Sequence, residues 1–454
     1  MRYVGFSEGY HDAGLAIVTE QGDIEFAGHS ERYSKLKNDP VLHFRMSKLI
    51  DPMDNISYYE ILKDDTQISL NPHQVVPHHV SHAAGAFMTR PWEDPSDTVM
   101  LTIDSWGDHE SACIFDTDYN TLLKMDGKLS IGKLYATTTK HLGLKPLEDE
   151  YVVMGLSCYG EPVMKWYEYL AEAYNTNINN SIDYVKPMVD ELSREDAAAT
   201  LQKFCEDKIY ELAKEARKYG SKLVYSGGVA QNIIANTKMR DLFDDVWIPT
   251  AVSDAGSALG CAAYTWGKHT GKDRINWQHP YLGHRIKTEA NPREIVDYLV
   301  NNKICGVANG CAEYGPRALG NRSLLADVRY DVKDTVNEIK RRQKYRPFAP
   351  AVLEEYAEEY FEGYMNEYMQ YVSKALHDYK SVIHVDGTSR VQIVKKDCPS
   401  ILRQVLEEYY EKTGVPMLLN TSLNIRGRPM VNNRNDAKLF EQTYDVKVFY
   451  EGLH

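Results

Sequence analysis

Arg2-Tyr3-Val4-Gly5-Phe6-Ser7-Glu8-Gly9-Tyr10-His11-Asp12-Ala13-Gly14-Leu15-Ala16-Ile17-Val18 opens the chain. Two apolar runs flank a glycine-rich polar bend, and Gln21-Gly22-Asp23 adds a second turn signal, so the stretch reads as a β-hairpin. Runs at 98–103, 112–116 and 222–226 read as further strands. They alternate with helical patterns, the longest spanning about 194–219, and that mixture belongs to an α/β or α+β layered domain. Taken alone, the opening bend also fits an ordinary hairpin with no ligand.

A chain of 454 residues exceeds what one core normally serves. Gly271-Lys272-Asp273 and His279-Pro280 interrupt the pattern, which divides the chain into domains at 1–275 and 276–454. The second part carries a strand at 304–308, helices around 333–345, 353–362 and 400–413, and a last strand at 416–419 that runs into a polar loop. No internal repeat or low-complexity segment is present. A formal net charge of −13 argues against generic polyanion binding, without excluding a local basic groove. Seven scattered cysteines without a CxxC pair fit a reducing compartment. The N-terminus lacks a signal core and no run reaches the length of a membrane span, so a cytoplasmic protein without membrane attachment is expected.

The sharpest chemical signal is Pro77-His78-His79-Val80-Ser81-His82-Ala83. On a helix His78 and His82 share one face and can grip one ion. Asp104, ending the apolar run 99–103, and Asp254 in Ser253-Asp254-Ala255-Gly256 add two carboxylates. Two nitrogens and two carboxylate oxygens suit a divalent transition metal better than calcium or magnesium. The segment argues against a zinc peptidase, whose motif requires glutamate where this chain has His79. Asp254 serves equally well as a helix cap.

Tyr225-Ser226-Gly227-Gly228-Val229-Ala230-Gln231-Asn232 ends a strand in two glycines and opens a helix, which presents bare N–H groups to an anion or nucleotide. Close strand–helix packing is the competing reading. In an acidic chain, Glu313-Tyr314-Gly315-Pro316-Arg317-Ala318-Leu319-Gly320-Asn321-Arg322-Ser323 and Lys340-Arg341-Arg342-Gln343-Lys344-Tyr345-Arg346-Pro347 concentrate cations near turns, as sites for phosphate or carboxylate do. A solvated helix face explains Arg341 and Arg342 well, but not Arg317. Thr421-Ser422-Leu423-Asn424-Ile425-Arg426-Gly427 follows a strand, the usual place for a ligand edge. Arg390 ends the turn His384-Val385-Asp386-Gly387-Thr388-Ser389-Arg390.

Jointly these segments, with Val153-Met154-Gly155-Leu156, resemble the O-carbamoyltransferase family that acts on nodulation factors, aminoglycosides such as tobramycin, and cephalosporins. The resemblance implies an actin/Hsp70-like, Kae1-type N-terminal domain followed by a YrdC-like α/β domain. It implies that the second domain makes carbamoyl adenylate from carbamoyl phosphate and ATP, and that the first passes the carbamoyl group to an acceptor hydroxyl. Carried onto this sequence, His78, His82, Asp104 and Asp254 hold the metal, which is Fe(II) or another divalent ion, with Mg as a further candidate. Arg317, Lys340, Arg346, Arg390 and Ser422 bind carbamoyl adenylate, and Ser7, Lys37, Gly227, Gly228 and Asn232 join them as cofactor contacts. His11 and Asp12 position the acceptor or help remove its proton.

Two departures stand out: Val152 occupies the family's usual lysine position before Val-Met-Gly-Leu, and the chain is short for the family. The expected acceptor is a small-molecule, sugar or nucleotide-like hydroxyl, with nucleic acid only as its carrier, and a homodimer is allowed. Two other functions share parts of this pattern. Threonylcarbamoyl transfer to tRNA is disfavoured by the acidic charge. A non-catalytic actin/Hsp70-like nucleotide-binding protein leaves the arginines of the second half unexplained.

Overall fold

The computed structural model describes residues 1–59, 68–107, 109–127, 129–176, 184–287 and 290–450. The chain forms two compact units, Met1–Ser34 with Asn38–Gln278, and Lys35–Lys37 with His279–His454.

The first unit contains strands β1 (Arg2–Ser7), β2 (Gly14–Thr19), β3 (Ile24–His29), β4 (Asn55–Tyr59) and β5 (Gln74–Val76). It continues with β6 (Thr98–Gly107), β7 (Glu110–Phe115), β8 (Thr121–Asp126), β9 (Lys222–Ser226) and β10 (Asp245–Trp247). These strands make two five-stranded sheets, ordered β3-β2-β1-β4-β5 and β8-β7-β6-β9-β10. In each sheet the first three strands are antiparallel and the last two are parallel to the first. A helix follows the fifth strand of each: α1 (His78–Phe87) after β5 and, by our numbering, α5 (Asp254–Thr270) after β10. Between β8 and β10 lie α2 (Ile131–His141), α3 (Arg194–Arg217) and α4 (Ile233–Arg240). The same strand order used twice, each time closed by a helix, is the duplicated layout of the actin/Hsp70 fold.

Small residues on α1 and α5 let the two helices touch backbone to backbone. A Cβ placed on Gly260 would lie 1.8 Å from the Ser81 carbonyl oxygen and 3.0 Å from the Gly85 nitrogen. The opening hairpin rests on an apolar core of Val4, Phe6, Leu15, Ile17, Tyr58 and Val76. Those strands form because their β-branched and aromatic residues pack on a pleated surface.

The second unit has β11 (Tyr281–Ile286), β12 (Ile304–Ala308), β13 (Gly310–Glu313), β14 (Arg322–Ala326), β15 (Ala349–Leu353), β16 (Phe361–Glu362) and β17 (Ser373–Ala375). It ends with β18 (Thr388–Ser389), β19 (Gln392–Val394), β20 (Met417–Ser422) and β21 (Val448–Phe449). Its main sheet is mixed, in the order β19-β15-β20-β14-β12-β21. Alternation along β20 sends Leu418 to a face covered by α6 (Pro292–Asn302) and α8 (Leu402–Thr413). Met417 and Leu419 point to the opposite face, where α7 (Lys333–Ile339) and α9 (Arg434–Tyr444) supply Val336 and Phe440.

Two expected helices are shorter than the sequence suggests. The one read at 333–345 stops at Ile339, where the chain turns through Arg341 at φ 51°. The one read at 353–362 starts with the last residue of β15, passes through a 3-10 turn at Glu354–Tyr356 and one helical turn at Ala357–Tyr360, and ends in β16. Helix-forming glutamates there are overruled by pairing of Phe361 with Ala375 in the small sheet. Among the described residues no helix is long and apolar enough to cross a membrane, and all seven cysteines are free thiols.

Candidate functional site

Four side chains converge where the first turns of α1 and α5 meet β6. His78, His82, Asp104 and Asp254 each offer one ligand atom, and these atoms lie within 4.8 Å of one another, all on buried residues. His82 Nε2 is 3.1 Å from Asp104 Oδ2 and 3.3 Å from Asp254 Oδ1, and the same oxygens lie 3.8 and 3.9 Å from His78 Nε2. Neither Nε2 atom makes a hydrogen bond, although both are buried. Four ligands about 2.1 Å from one ion stand roughly 3.4 Å apart when tetrahedral, so the donors fit a transition-metal ion by chemistry and spacing.

Backbone groups orient the ligands. Asp104 Oδ1 accepts from the Ser105 N–H at 2.6 Å and Oδ2 from the Gly228 N–H at 3.2 Å. The Gly227-Gly228 turn thus serves a carboxylate of the chain itself, and that Gly228 N–H is already engaged. The Ser226 hydroxyl donates to the His82 carbonyl at 2.8 Å and ties α1 to β9. His79, the third histidine of the motif, anchors the same helix. Its Nε2 donates to the Glu110 carbonyl, its Nδ1 accepts from Thr102 Oγ1, and burial pushes it down to about 3. Gly107 leaves room for the His78 ring, since a Cβ there would lie 2.1 Å from its Cδ2.

Burial opposes charge throughout the cluster, yet the groups sustain one another. Burial works to lower His82, but Asp104 and Asp254 lift it to about 9. Burial works to raise Asp104, whereas His78 and His82 hold it well below the usual carboxylate range. Asp254 is likewise lowered against burial, mainly by His11 and His82. Half-buried His11 is lifted to about 9 by Asp254 and Asp12, with its Nε2 3.5 Å from Asp254 Oδ2 and its Nδ1 3.4 Å from Asp12 Oδ2. The opening hairpin therefore delivers His11 and Asp12 to the four-ligand cluster. Asp12 turns the chain at φ 55°, its carbonyl accepts from the Ser7 hydroxyl, and buried Glu8 fastens the bend by accepting from the Leu42 N–H at 2.9 Å. Asn232 faces elsewhere: its carboxamide caps α4 at Ala235 and exchanges hydrogen bonds with Gln202. Lys37 lies in the short segment that groups with the second unit.

In the second unit, buried Lys340 at the end of α7 donates to Ser422 through its carbonyl and hydroxyl, and to Asn424 through its carbonyl at 3.0 Å and Oδ1 at 2.9 Å. All four partners are neutral oxygens. Burial, then Arg342 and Arg346, hold Lys340 well below its ordinary value, so the three basic side chains lie close enough to sense one another. A buried amide hub joins the other loops. Asn420 donates to the Ala318 carbonyl at 3.1 Å and to Gln392 Oε1 at 2.7 Å, while Gln392 donates to the Leu319 carbonyl at 3.1 Å. This brings the loop carrying Arg317 and the turn carrying Arg390 to the strand that ends at Ser422. Arg322 belongs to the scaffold instead. Fully buried, it donates to the carbonyls of Asn309, Gly310, Asn321, His284 and Asn432.

Family models described as "Carbamoyltransferase N-terminus" and "Carbamoyltransferase C-terminus" match residues 59–263 and 296–451. The nodulation protein NolNO of Sinorhizobium fredii is 32% identical over 96% of this chain and 77% of its own length. The chain belongs to the carbamoyltransferase family. NolO of Bradyrhizobium diazoefficiens is also 32% identical, covering 79% of the carbamoyltransferase and 75% of the relative. Solved structures show fainter likeness. The activator of 2-hydroxyisocaproyl-CoA dehydratase from Clostridium difficile has a TM-score of 0.41 at 16% identity, over 61% of this chain and all of the other. Full-length HypF has 0.34 at 14%, over 60% and 56%.

Sequence reasoning passed over several groups on which this carbamoyltransferase site depends. Ser105 and Gly107 follow Asp104 directly, but a hydrogen bond from a backbone N–H and a space for a ring leave no residue pattern. Glu8 and the Asn420–Gln392 hub act across 34 and 28 positions of chain. Only an internal-acid signal, Glu8 inside a glycine bend, was available to flag the first.

Proposed function

We propose that this carbamoyltransferase makes carbamoyl adenylate from carbamoyl phosphate and ATP, then transfers the carbamoyl group to the hydroxyl of a small molecule, sugar or nucleotide-like acceptor. The observation that carries the reading is the convergence of His78, His82, Asp104 and Asp254 with His11 and Asp12 alongside. The grouping of Arg342 and Arg346 about Lys340, which is bonded to Ser422, supports the activation half.

The chemistry balances as follows. Water cleaves carbamoyl phosphate to carbamate and phosphate. A carbamate oxygen attacks the α-phosphorus of ATP, a new P–O bond forms, and pyrophosphate leaves. Negative charge grows on phosphoryl oxygens during that attack, and fixed guanidinium groups such as Arg317 and Arg346 stabilise it without reorganising. The acceptor oxygen then attacks the carbamoyl carbon and AMP departs. In this reading His11 and Asp12, side by side at the cluster, position the acceptor hydroxyl or help remove its proton. Held by the four ligands, an Fe(II)-like divalent ion supplies Lewis acidity there. Asp104 and Asp254 stay ionised and His82 presents Nε2 to that position.

The test is to incubate metal-loaded protein with ATP, carbamoyl phosphate and a panel of alcohols, sugars and hydroxymethylated nucleosides. Release of phosphate and pyrophosphate, with one carbamoyl group gained by an acceptor, is expected. Absence of carbamoyl-phosphate-dependent pyrophosphate release would refute the reading.

A further inference from the structure

Two buried acceptors at the Arg317 loop have no hydrogen-bond partner in the protein: Glu313 Oε2 and Asn420 Oδ1. Glu313 is 2% exposed and Asn420 1%. Leaving a buried acceptor unpaired carries its full desolvation penalty, so a partner is expected from a ligand. Glu313 lies beneath the Arg317 loop. Its Oε1 accepts from the N–H groups of Leu319 at 2.9 Å, Asn321 at 2.8 Å and Arg322 at 3.1 Å. Asn420 grips the other edge of the same peptide group, at the Ala318 carbonyl. Both acceptors therefore belong to side chains that shape the loop delivering Arg317.

We propose that Glu313 is the specificity residue for the carbamoyl group, its free Oε2 accepting a hydrogen bond from the carbamoyl –NH2. This rests on the function proposed above and deepens it. The cations recognise the phosphate that many acyl phosphates share. The carboxylate recognises the amine that distinguishes carbamoyl phosphate from acetyl phosphate, in which a methyl group takes the same place. A site built to pair a donor rejects the analogue that lacks it, because its own acceptor is left stranded.

Glu313→Gln separates this role from loop support. Three N–H donors hold the amide oxygen toward the loop, so the –NH2 of the new side chain lands where Oε2 was, and an acceptor becomes a donor. Pyrophosphate release would be measured against carbamoyl phosphate, with acetyl phosphate as competitive inhibitor and thermal unfolding in parallel. The wild-type protein is expected to prefer carbamoyl phosphate, and Glu313→Gln to raise its KM about tenfold or more, with the KM for ATP, the inhibition by acetyl phosphate and the Tm unchanged. A preference retained in Glu313→Gln would overturn the proposal. So would an effect on the KM for ATP alone, which would assign Oε2 to the adenine amine, or a uniform loss with a lowered Tm, which would leave only loop support. Should the variant not fold, the wild-type protein still decides: equal binding of the two acyl phosphates overturns the assignment. Wild-type protein that releases no pyrophosphate defeats the function itself, whereas an active enzyme indifferent to Glu313→Gln defeats only this inference.

Discussion

Gly107→Ala should strip an ion from the first unit while leaving the fold nearly intact. The added Cβ would stand 2.1 Å from His78 Cδ2, 2.5 Å from Cγ and 2.7 Å from Nε2. Carbon atoms settle about 3.5–4.0 Å apart, so the ring must retreat by more than an ångström. Space behind it is short, with the rings of His82, His79 and Tyr59 centred 4.8, 5.3 and 5.5 Å away. Overpacking of this kind costs about 1–3 kcal/mol of stability. Metal–ligand bonds tolerate only about 0.2 Å, so His78 ceases to be a ligand. Groups that merely orient a ligand are worth about 10–100-fold in metal affinity, and the loss of a ligand itself should cost at least about 100-fold. Titrating metal-depleted wild type and Gly107→Ala with Co(II), by absorbance and calorimetry, with Tm measured on each, reads both quantities. A folded Gly107→Ala that binds Co(II) within about threefold of wild type would show that His78 is not a ligand and that the four-donor reading is wrong.

Three further outcomes are expected. His82 and His11 are raised above 6.5 to about 9, so their contribution to the metal-free fold is complete below about pH 6.5 and fades as pH rises through 9, while Co(II) affinity climbs about tenfold per pH unit as His82 gives up its proton; calorimetry and unfolding between pH 6 and 9.5 would contradict this if affinity stayed flat. Arg322→Met strands the carbonyls of Asn309, Gly310, His284 and Asn432, and should destabilise the second unit by about 3–5 kcal/mol in urea unfolding, whereas a change below about 1 kcal/mol would mean those carbonyls find other partners. Gly260→Ala drives a methyl onto the Ser81 carbonyl oxygen at 1.8 Å and should cost about 3 kcal/mol, checked by the denaturation midpoint, with an unchanged midpoint ruling out the tight helix crossing.

Residue chemistry made the four-ligand cluster legible because each donor sits at a marked place: two histidines one turn apart, one aspartate closing an apolar run and one opening a helix. What brought 78 and 254 together was not legible. The two sheets repeat a strand order and not a residue pattern, so the chain shows no internal repeat although its fold does. In the second half sequence sets Arg317 apart from Arg341 and Arg342, and burial sorts the arginines further: Arg322 is fully enclosed by carbonyls, and Arg342 lies over Phe348 with its Nε bonded to Asn337. The Gly227-Gly228 turn was read as an anion cradle, and the anion that engages it is Asp104, 124 positions earlier. The helices at 333–345 and 353–362 ended early because a buried lysine with a left-handed turn, and a strand pairing, outweigh propensity.

The division of donors between the duplicated halves has a mechanical consequence. Both imidazoles come from α1, at the close of the first half, and both carboxylates from β6 and α5 in the second. An ion seated there would rivet α1 to α5 and β6, close to the backbone crossing at Gly85 and Gly260. Any shift of α1 against α5 at that crossing alters the bite on the ion, so grip on the metal reports how tightly the two helices seat.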